Sequence, residues 1–423
     1  MQILHLSLVA LATVMAGCAA MRPAGTLPAG PAAGDRVLSP FYAWTGALPS
    51  RPGAMLRMES QPPQPEITAA SVQQRILYTS TDARWRSGVL PVTGTLYLPK
   101  GEQPRGGWPL VAWAHGTLGV ADACAPSWTG HRPRDATYLN RWLEEGFAVV
   151  ATDYQGLGGP GPHPYTFWEA EGRSILDSAR AAIAAYPGRI ANDLAITGQS
   201  QGSGSSIGAS RIAAAYAPEL NLRATIATGL LSSFPEARYK APEAVPSPSG
   251  PVRFSMLRLV GGSIPDDGPP AESLVTPQAQ SMLKMARETC VDEMRGYEQQ
   301  QGLNAANAFK LEPAALQTLL VKTSDMSLVA LPAPLFLGTG LADRTIPPRR
   351  QYAAAAALCQ AGNPLVWKTY AGITHNGIVN AAFEDELRFV RAVRANAPTE
   401  SNCGTMTEPG LPEPATAGIR FND

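Results

Sequence analysis

The stretch Gly198-Gln199-Ser200-Gln201-Gly202 decides the fold. It follows the short apolar run 194–197 and opens a segment of small residues with a helical pattern. A serine on a sharp turn between a strand and a helix keeps its hydroxyl exposed, and flanking glycines let neighbouring backbone come close. This layout is typical of a serine acyl hydrolase. We therefore predict that Ser200 is a nucleophile at the end of a strand.

The same pattern occurs again in Gly204-Ser205-Ser206-Ile207-Gly208. With Gly at 40 of 423 positions, about 0.2 chance matches to such a pattern are expected from composition. The second match lies inside the helical segment and has no strand before it, so we predict that it serves close helix packing. The surroundings of Ser200 must therefore carry the functional argument.

Composition excludes several classes of protein. The formal net charge is zero, charged residues make up 16%, and no Lys/Arg run is present, so we expect no nucleic-acid partner. The chain also lacks a His-Glu-x-x-His motif, a phosphate-binding Gly-x-x-x-x-Gly-Lys motif and a dinucleotide fingerprint after an early strand. We therefore expect neither a metal nor a cofactor.

Strand and helix patterns alternate along most of the chain. Strands are predicted at 75–79, 93–98, 110–114, 147–152, 194–197, 222–228, 334–337 and 365–370, and helices at 138–145, 169–185, 203–216, 349–358 and 378–395. Near-continuous apolar strands that alternate with helices indicate a mainly parallel sheet covered on both faces. The predicted class is therefore α/β.

The alternation breaks between about residues 231 and 332, where little strand pattern is found. Apolar residues recur there at helical spacing, namely Met282, Met285, Ala286, Cys290 and Met294. They could pack a core, or they could line a cap whose thioethers face an apolar substrate, and both interpretations can be partly right. We predict an inserted, mostly helical cap.

Histidine is the usual base for a serine nucleophile because its pKa lies near neutral. The chain has five histidines: His5, His115, His131, His163 and His375. His375 lies in the loop that leaves the last strand, at the edge of the sheet where Ser200 is expected. We predict that His375 is the base. His115 is expected to shape the turn after its strand, and the two loop histidines to be structural or surface residues.

An acid is needed to orient the base, and in this arrangement it comes between the serine and the histidine in the chain. Asp343 has that position after a predicted strand, although it could instead cap a helix before Pro347. The oxyanion also needs N–H donors. We predict the backbone N–H of Gln201 as one and that of Thr117 as the other, with Leu118 as the alternative. Asp153 is expected to brace nearby loops.

The first residues have a secretory character. Residues 3–16 are apolar, and Met15-Ala16-Gly17-Cys18 is similar to a bacterial lipobox, in which Cys18 would carry lipid. Simple secretion is the alternative, so the expected location is the cell envelope (outer membrane or periplasm) or the medium. Four cysteines remain, Cys124, Cys290, Cys359 and Cys403. In an oxidising compartment they predict two disulfides, with three connectivities possible.

Several segments resemble the secretory lipase family of α/β-hydrolases. They are Cys124-Ala125-Pro126-Ser127, Asp153-Tyr154-Gln155-Gly156-Leu157, the helix beginning Glu171-Gly172-Arg173, Ala217-Pro218-Glu219, Asp343 with Pro347, and Tyr370 with His375. The resemblance implies an α/β-hydrolase fold, esterase or lipase activity, a helical cap, and the disulfides Cys124–Cys290 and Cys359–Cys403. The Gln on both sides of Ser200 departs from the family, which often has an aromatic residue and then Gly.

The predicted protein is an exported serine carboxylic-ester hydrolase that acts on lipid or other apolar acyl esters, as a monomer. The predicted segments are a signal peptide (1–18), a tether (19–40), the first part of the core (41–231), the cap (232–332), the second part of the core (333–404) and a tail (405–423). The alternatives are a serine peptidase or acyltransferase on the same fold, and a non-catalytic envelope lipoprotein.

Overall fold

The computed structural model describes residues 25–61, 64–232, 234, 251–264, 266–321 and 326–423. The predicted signal peptide and Cys18 lie outside these residues. Within the described ranges, no helix has the length and apolar character needed to cross a membrane.

One mixed sheet organises the described part of the chain. Its nine strands lie in the order β1-β2-β3-β5-β4-β6-β7-β8-β9. They are β1 Met55–Ser60, β2 Ala70–Thr81, β3 Val89–Pro99, β4 Trp108–Ala114, β5 Ala148–Thr152, β6 Ile190–Gln199, β7 Leu222–Thr228, β8 Leu335–Gly340 and β9 Leu365–Tyr370. Strands β4 to β9 pair in parallel, whereas the pairs β1–β2, β2–β3 and β3–β5 are antiparallel. The mainly parallel α/β sheet predicted from the sequence is thus confirmed.

Helices cover both faces of this sheet. The described helices are α1 Pro126–Thr129, α2 Pro133–Glu144, α3 Trp168–Ala185, α4 Gln201–Tyr216, α5 Val252–Val260, α6 Ala271–Leu274, α7 Gln280–Glu288, α8 Val291–Gln300, α9 Ala305–Ala308, α10 Pro313–Val321, α11 Pro348–Gln360, α12 Ile378–Ala381 and α13 Phe383–Arg394. Of these, α5 to α10 form a separate helical region with its own core. Helices α3 and α4 pack on one face through residues such as Ile175 and Ala209. Helices α2 and α13 pack on the other face through Trp142 and Phe383.

The second Gly-x-Ser-x-Gly match lies within α4 and serves helix packing, as predicted. A Cβ atom on Gly208 would lie 2.5 Å from the carbonyl oxygen of Trp168 in α3. Ser206 is fully buried, and its hydroxyl donates to the carbonyl of Gly202 at 2.8 Å. The Ser206 hydroxyl therefore has its hydrogen-bond partner within its own helix.

The described residues between 251 and 321 contain helices and one isolated bridge, and none of them lies in a strand of the sheet. The predicted methionine stripe falls on two helices, α7 and α8, because the first ends at Glu288. Met282, Ala286 and Met294 are buried together in the core of this helical region. These residues therefore pack a core, which was the first of the two interpretations.

Two disulfides tie the described segments together, with the pairing that the family resemblance implies. Cys124–Cys290 joins the loop after β4 to the start of α8, and Cys359–Cys403 joins α11 to the segment after α13. Each has a Cα–Cα distance of 5.6 Å, which lies within the usual range for a disulfide.

Part of the predicted tether contacts the core. The Asp35 carboxylate accepts hydrogen bonds from the backbone N–H groups of Gly30 and Gly161, at 2.6 and 2.9 Å. The N–H of Arg36 donates to the buried carboxylate of Asp122 at 2.7 Å. Residues 30–36 are therefore held against the core, which a free tether would not be.

Candidate active site

Ser200 lies on a strained turn between β6 and α4. Its φ is 56° and its ψ is −117°, a region that residues other than glycine rarely adopt. A Cβ on Gly198 would lie 2.0 Å from the carbonyl oxygen of Gly202, and one on Gly202 would lie 1.9 Å from that of Ala114. Only glycine fits at these two positions, so the two outer residues of the pentapeptide permit the turn that presents Ser200.

Asp343 and His375 form a hydrogen-bonded pair at the same edge of the sheet. The His375 Nδ1 lies 2.8 Å from Oδ2 of Asp343, which is fully buried. The other carboxylate oxygen accepts the backbone N–H groups of Thr345 and Ile346, both at 2.8 Å. Since α11 begins only at Pro348, Asp343 is not its N-cap, and the carboxylate is free to hold the imidazole.

Backbone contacts place this pair next to Ser200. The N–H of Ser200 donates to the carbonyl of Thr228 at 3.0 Å. At the next residue, Gly229, a Cβ would lie 2.9 Å from the imidazole ring of His375. The end of β7 therefore contacts both the serine turn and the histidine ring, so the structure brings Ser200, Asp343 and His375 to one site.

The side chain of Gln199 fixes the loop that carries His375. Its Nε2 donates to the backbone carbonyl of His375 at 3.0 Å, while its Oε1 accepts from Arg134 at 3.2 Å. Arg134 also donates to the side-chain oxygen of Asn376 at 2.8 Å. Neither Gln199 nor Arg134 has a role predicted from the sequence, although the position of Gln199 beside the serine was a signal.

The side chain of Gln201 belongs to a buried polar network under the serine turn. Its Nε2 lies 2.8 Å from Nε2 of His163 and 2.9 Å from a carboxylate oxygen of Glu171. Burial lowers the pKa of His163 to about 3, so this ring is neutral and acts as an acceptor toward Gln201. Glu171 also accepts from the N–H of Thr166 at 2.8 Å and from the hydroxyl of Ser205.

Burial raises the pKa of Glu171 from 4.5 to about 7. The folded chain therefore binds more protons at this group than the unfolded chain between about pH 4.5 and pH 7, so stability falls as pH rises through that window. We expect Glu171→Gln to remove this loss, which is on the order of 3 kcal/mol at about 1.4 kcal/mol for each pH unit. Urea unfolding at about pH 5 and about pH 8 measures it.

Glu169→Gln is the matched control for this experiment, because Glu169 lies on the same helix with its side chain 41% exposed and paired to Arg173. We expect its pH dependence to follow that of the wild type. If stability depends on pH equally in the wild type and in Glu171→Gln, the assignment of this pH dependence to Glu171 is contradicted.

The predicted oxyanion donors lie beside the serine. A Cβ on Gly116 would be 3.6 Å from Cβ of Ser200, and the next residue, Thr117, bonds through its hydroxyl to Tyr165 at 2.8 Å. Gln201 is the first residue of α4, where backbone N–H groups have no partner within the helix. Leu118 instead packs beside Cys290 and accepts the N–H of Val291 at 2.7 Å.

Two other histidines have structural surroundings. His115 is buried, and its ring nitrogens lie 2.8 and 3.3 Å from the carbonyl oxygens of Gly116 and Asp153. His131 is also buried, and burial lowers its pKa to about 4. Burial also lowers the pKa of His115. Both histidines therefore support the loops around the site.

The predicted bracing role of Asp153 agrees with its contacts. Its carboxylate accepts from the hydroxyl of Thr93 at 2.6 Å and from the N–H of Ser127 at 3.0 Å. These bonds tie together strand β3, the end of β5 and helix α1.

In the described part of the chain, no group of three or more His, Cys, Asp or Glu side chains is placed to hold a metal ion.

Residues 405–423 form hydrogen bonds with the two loops that carry Asp343 and His375. The Asn422 side chain accepts the N–H of Thr374 at 2.7 Å and donates to the carbonyl of Gly372 at 2.9 Å. Glu413 donates its N–H to the carbonyl of Leu341 at 2.8 Å and accepts the N–H of Gly372 at 2.9 Å. The sequence predicted only a tail here, because its Pro-rich pattern shows no regular element.

The sheet and the serine turn define the chain as an α/β-hydrolase. Residues 127–386 match the model of the family described as secretory lipase. This match covers more than half of the chain, so the protein belongs to the secretory lipase family and is a carboxylic-ester hydrolase. No curated protein matches the chain.

Solved structures of lipases and esterases share this fold. Lipase A of Candida antarctica in its closed state has a TM-score of 0.66 at 19% identity, over 90% of this chain and 92% of that one. The rice cell wall degrading esterase LipA of Xanthomonas oryzae has a TM-score of 0.58 at 18% identity, over 82% and 97%. A putative hydrolase of Legionella pneumophila has a TM-score of 0.55 at 17% identity, over 82% and 98%.

Proposed function

We propose that this lipid-ester hydrolase works through a triad of Ser200, His375 and Asp343 and a covalent acyl-enzyme. The observation that carries the proposal is the hydrogen bond between buried Asp343 and His375. It lies at the edge of the sheet where the strained turn presents Ser200. An imidazole held in this way has one nitrogen fixed by the acid, and its Nε2 is left to exchange a proton with the serine.

The reaction follows from these positions. His375 removes the proton of the Ser200 hydroxyl as its oxygen attacks the ester carbonyl, and Asp343 stabilises the imidazolium that forms. The backbone N–H groups of Gln201 and Thr117 donate to the developing oxyanion. His375 then protonates the leaving alcohol, and a water activated by the same ring releases the acid. No metal or cofactor is required for any of these steps.

The surroundings of the site support a cap. The helices of residues 251–321 pack around a core that includes Tyr165, whose hydroxyl bonds to Thr117 beside the serine turn. We propose that the segment 232–332, of which this described region is the larger part, is a cap over the site.

The secretory lipase family suggests export. Lipidation at Cys18 and the monomeric state remain parts of the proposal.

Labelling and hydrolysis together test this function. We expect the purified protein to hydrolyse p-nitrophenyl esters, and a fluorophosphonate probe to label it on the peptide that contains Ser200. A profile over acyl chains of increasing length will show the preferred substrate. Peptide cleavage without ester turnover would favour a peptidase, and a folded protein that no serine-directed probe labels would contradict the proposal.

A further inference from the structure

Two backbone N–H groups beside the serine turn have no acceptor in the protein. Among the described residues, neither the N–H of Gln201 nor that of Thr117 donates a hydrogen bond. Gln201 is fully buried and Thr117 nearly so, and a buried N–H without a partner is costly. The two groups lie on separate elements, because Gln201 begins α4 and Thr117 lies in the loop after β4. Their separation must therefore be fixed if both are to donate to one oxyanion.

The loop formed by residues 163–166 contacts both of these residues. The side-chain Nε2 of Gln201 lies 2.8 Å from Nε2 of His163, and the hydroxyl of Thr117 lies 2.8 Å from that of Tyr165. Within the loop, the N–H of Tyr165 donates to the carbonyl of His163 at 2.7 Å. One short loop thus joins the two residues that carry the free N–H groups.

The hydrogen bonds around His163 fix the side chain of Gln201. The His163 Nδ1 lies 2.9 Å from the backbone carbonyl oxygen of Gln155. A carbonyl oxygen can only accept, so Nδ1 carries the proton of this neutral ring and Nε2 accepts from the Gln201 amide. The second amide hydrogen of Gln201 is donated to Glu171 at 2.9 Å. Both amide hydrogens are therefore used, and the side chain is held in one orientation.

The loop itself is held in a strained conformation. Thr166 has a φ of 63°, which is rare for a β-branched residue, and its N–H donates to Glu171 at 2.8 Å. The ring of His163 stacks on that of Tyr154 with centroids 5.6 Å apart. A Cβ on Gly261 would lie 2.7 Å from the His163 carbonyl oxygen. Such strain persists only where the surroundings fix the backbone, and it is common at functional sites.

We propose that Gln201 and Tyr165 are positioning residues that set the distance between the two oxyanion donors, with residues 163–166 as the spacer. The side-chain amide of Gln201 fixes the backbone N–H of the same residue, and the hydroxyl of Tyr165 fixes Thr117. This inference rests on the proposed function of the site. It gives the glutamine after Ser200 a part in stabilising the transition state, beyond the role of its backbone.

Tyr165→Phe and Gln201→Met test this role, because each removes hydrogen bonds and nearly keeps the shape of the side chain. We expect each to lower kcat/KM for p-nitrophenyl butyrate by about 5- to 50-fold, since a misplaced donor still retains part of its effect. Hexyl trifluoromethyl ketone adds to the serine oxygen, and its former carbonyl oxygen then carries the negative charge. Its Ki should rise by about the factor by which kcat/KM falls. The corresponding secondary alcohol forms no oxyanion, so its Ki should change by less than about threefold.

Tyr78→Phe and Gln61→Met are the matched controls. Tyr78 is fully buried in β2, and its hydroxyl lies 2.6 Å from that of Thr152. Gln61 is buried just after β1, and its amide donates to the carbonyl of Ser127 at 3.2 Å. Strands β3, β5 and β4 separate β1 and β2 from β6, which leads to the serine. We expect both controls to lose stability in urea unfolding and to keep kcat/KM and both Ki values.

The outcomes separate this inference from the proposed function. Unchanged kcat/KM and ketone Ki in both site variants would overturn the positioning role, and so would equal losses in the controls. A loss in only one site variant would overturn the claim that the loop spaces both donors. If the Ki of the alcohol rises as much as that of the ketone, the residues shape the substrate pocket instead. If Gln201→Met does not fold, Tyr165→Phe decides alone. A wild type without ester turnover would instead contradict the proposed function.

Discussion

Replacing Ser200 by alanine is expected to lower kcat for p-nitrophenyl esters by at least about 10⁴-fold. The substitution removes the oxygen that we propose forms the acyl-enzyme and leaves the Asp343–His375 pair in place. The remaining activity would come from binding and from the oxyanion donors alone. Because Ser200 has positive φ, which alanine adopts no more easily, the variant must be checked for native folding by circular dichroism and urea unfolding.

Ser206→Ala is the matched control for Ser200→Ala. Ser206 occupies the same place in the second Gly-x-Ser-x-Gly match, but it is buried in α4 and donates to Gly202. We expect it to keep nearly full activity and to lose about 1 kcal/mol of stability. A folded Ser200→Ala protein that retains more than about one hundredth of wild-type activity would show that another group is the nucleophile.

Gly202→Ala is expected to cost at least about 3 kcal/mol of stability and to abolish labelling of Ser200 by a fluorophosphonate. The new methyl carbon would lie 1.9 Å from the carbonyl oxygen of Ala114 and 2.9 Å from that of His115. Both contacts are with backbone at the end of β4, which cannot rotate away. Strand β4 and helix α4 must separate, and the turn that presents Ser200 moves with them. Urea unfolding and probe labelling measure the two effects.

Gly296→Ala provides the comparison. Gly296 lies in α8, and a Cβ there would have no atom within 4 Å. Alanine is the better helix former, so we expect unchanged activity and a gain of up to about 1 kcal/mol. A Gly202→Ala variant as stable as Gly296→Ala would refute the steric argument.

The sequence predicted the sheet and the order of Ser200, Asp343 and His375 along it because each depends on local signals. Apolar runs followed by turn residues mark the ends of parallel strands, and these ends meet at one edge. The family resemblance supplied the disulfide pairing, which spacing alone left open among three connectivities. The second Gly-x-Ser-x-Gly match, which contains Ser206, could be told apart from the first because no strand precedes it.

Contacts between distant segments could not be predicted in this way. The roles of Gln199 and Gln201 depend on partners at positions 134, 163, 171 and 375, far apart in the chain. The hydrogen bonds that residues 405–423 form with the site depend on single backbone groups of two loops. Such contacts leave no periodic signal in the sequence, because each is one hydrogen bond between residues that only the fold brings together.

The disulfide Cys124–Cys290 limits how the helical region can be displaced from the sheet. It anchors the start of α8 to the loop after β4, and the hydrogen bond from Val291 to Leu118 reinforces the same point. Since a covalent bond prevents translation at that end, any displacement of α8 must be a swing about residue 290 as a pivot. The far ends of the helices would then travel farthest, while the backbone beside Thr117, the proposed oxyanion donor, stays in place.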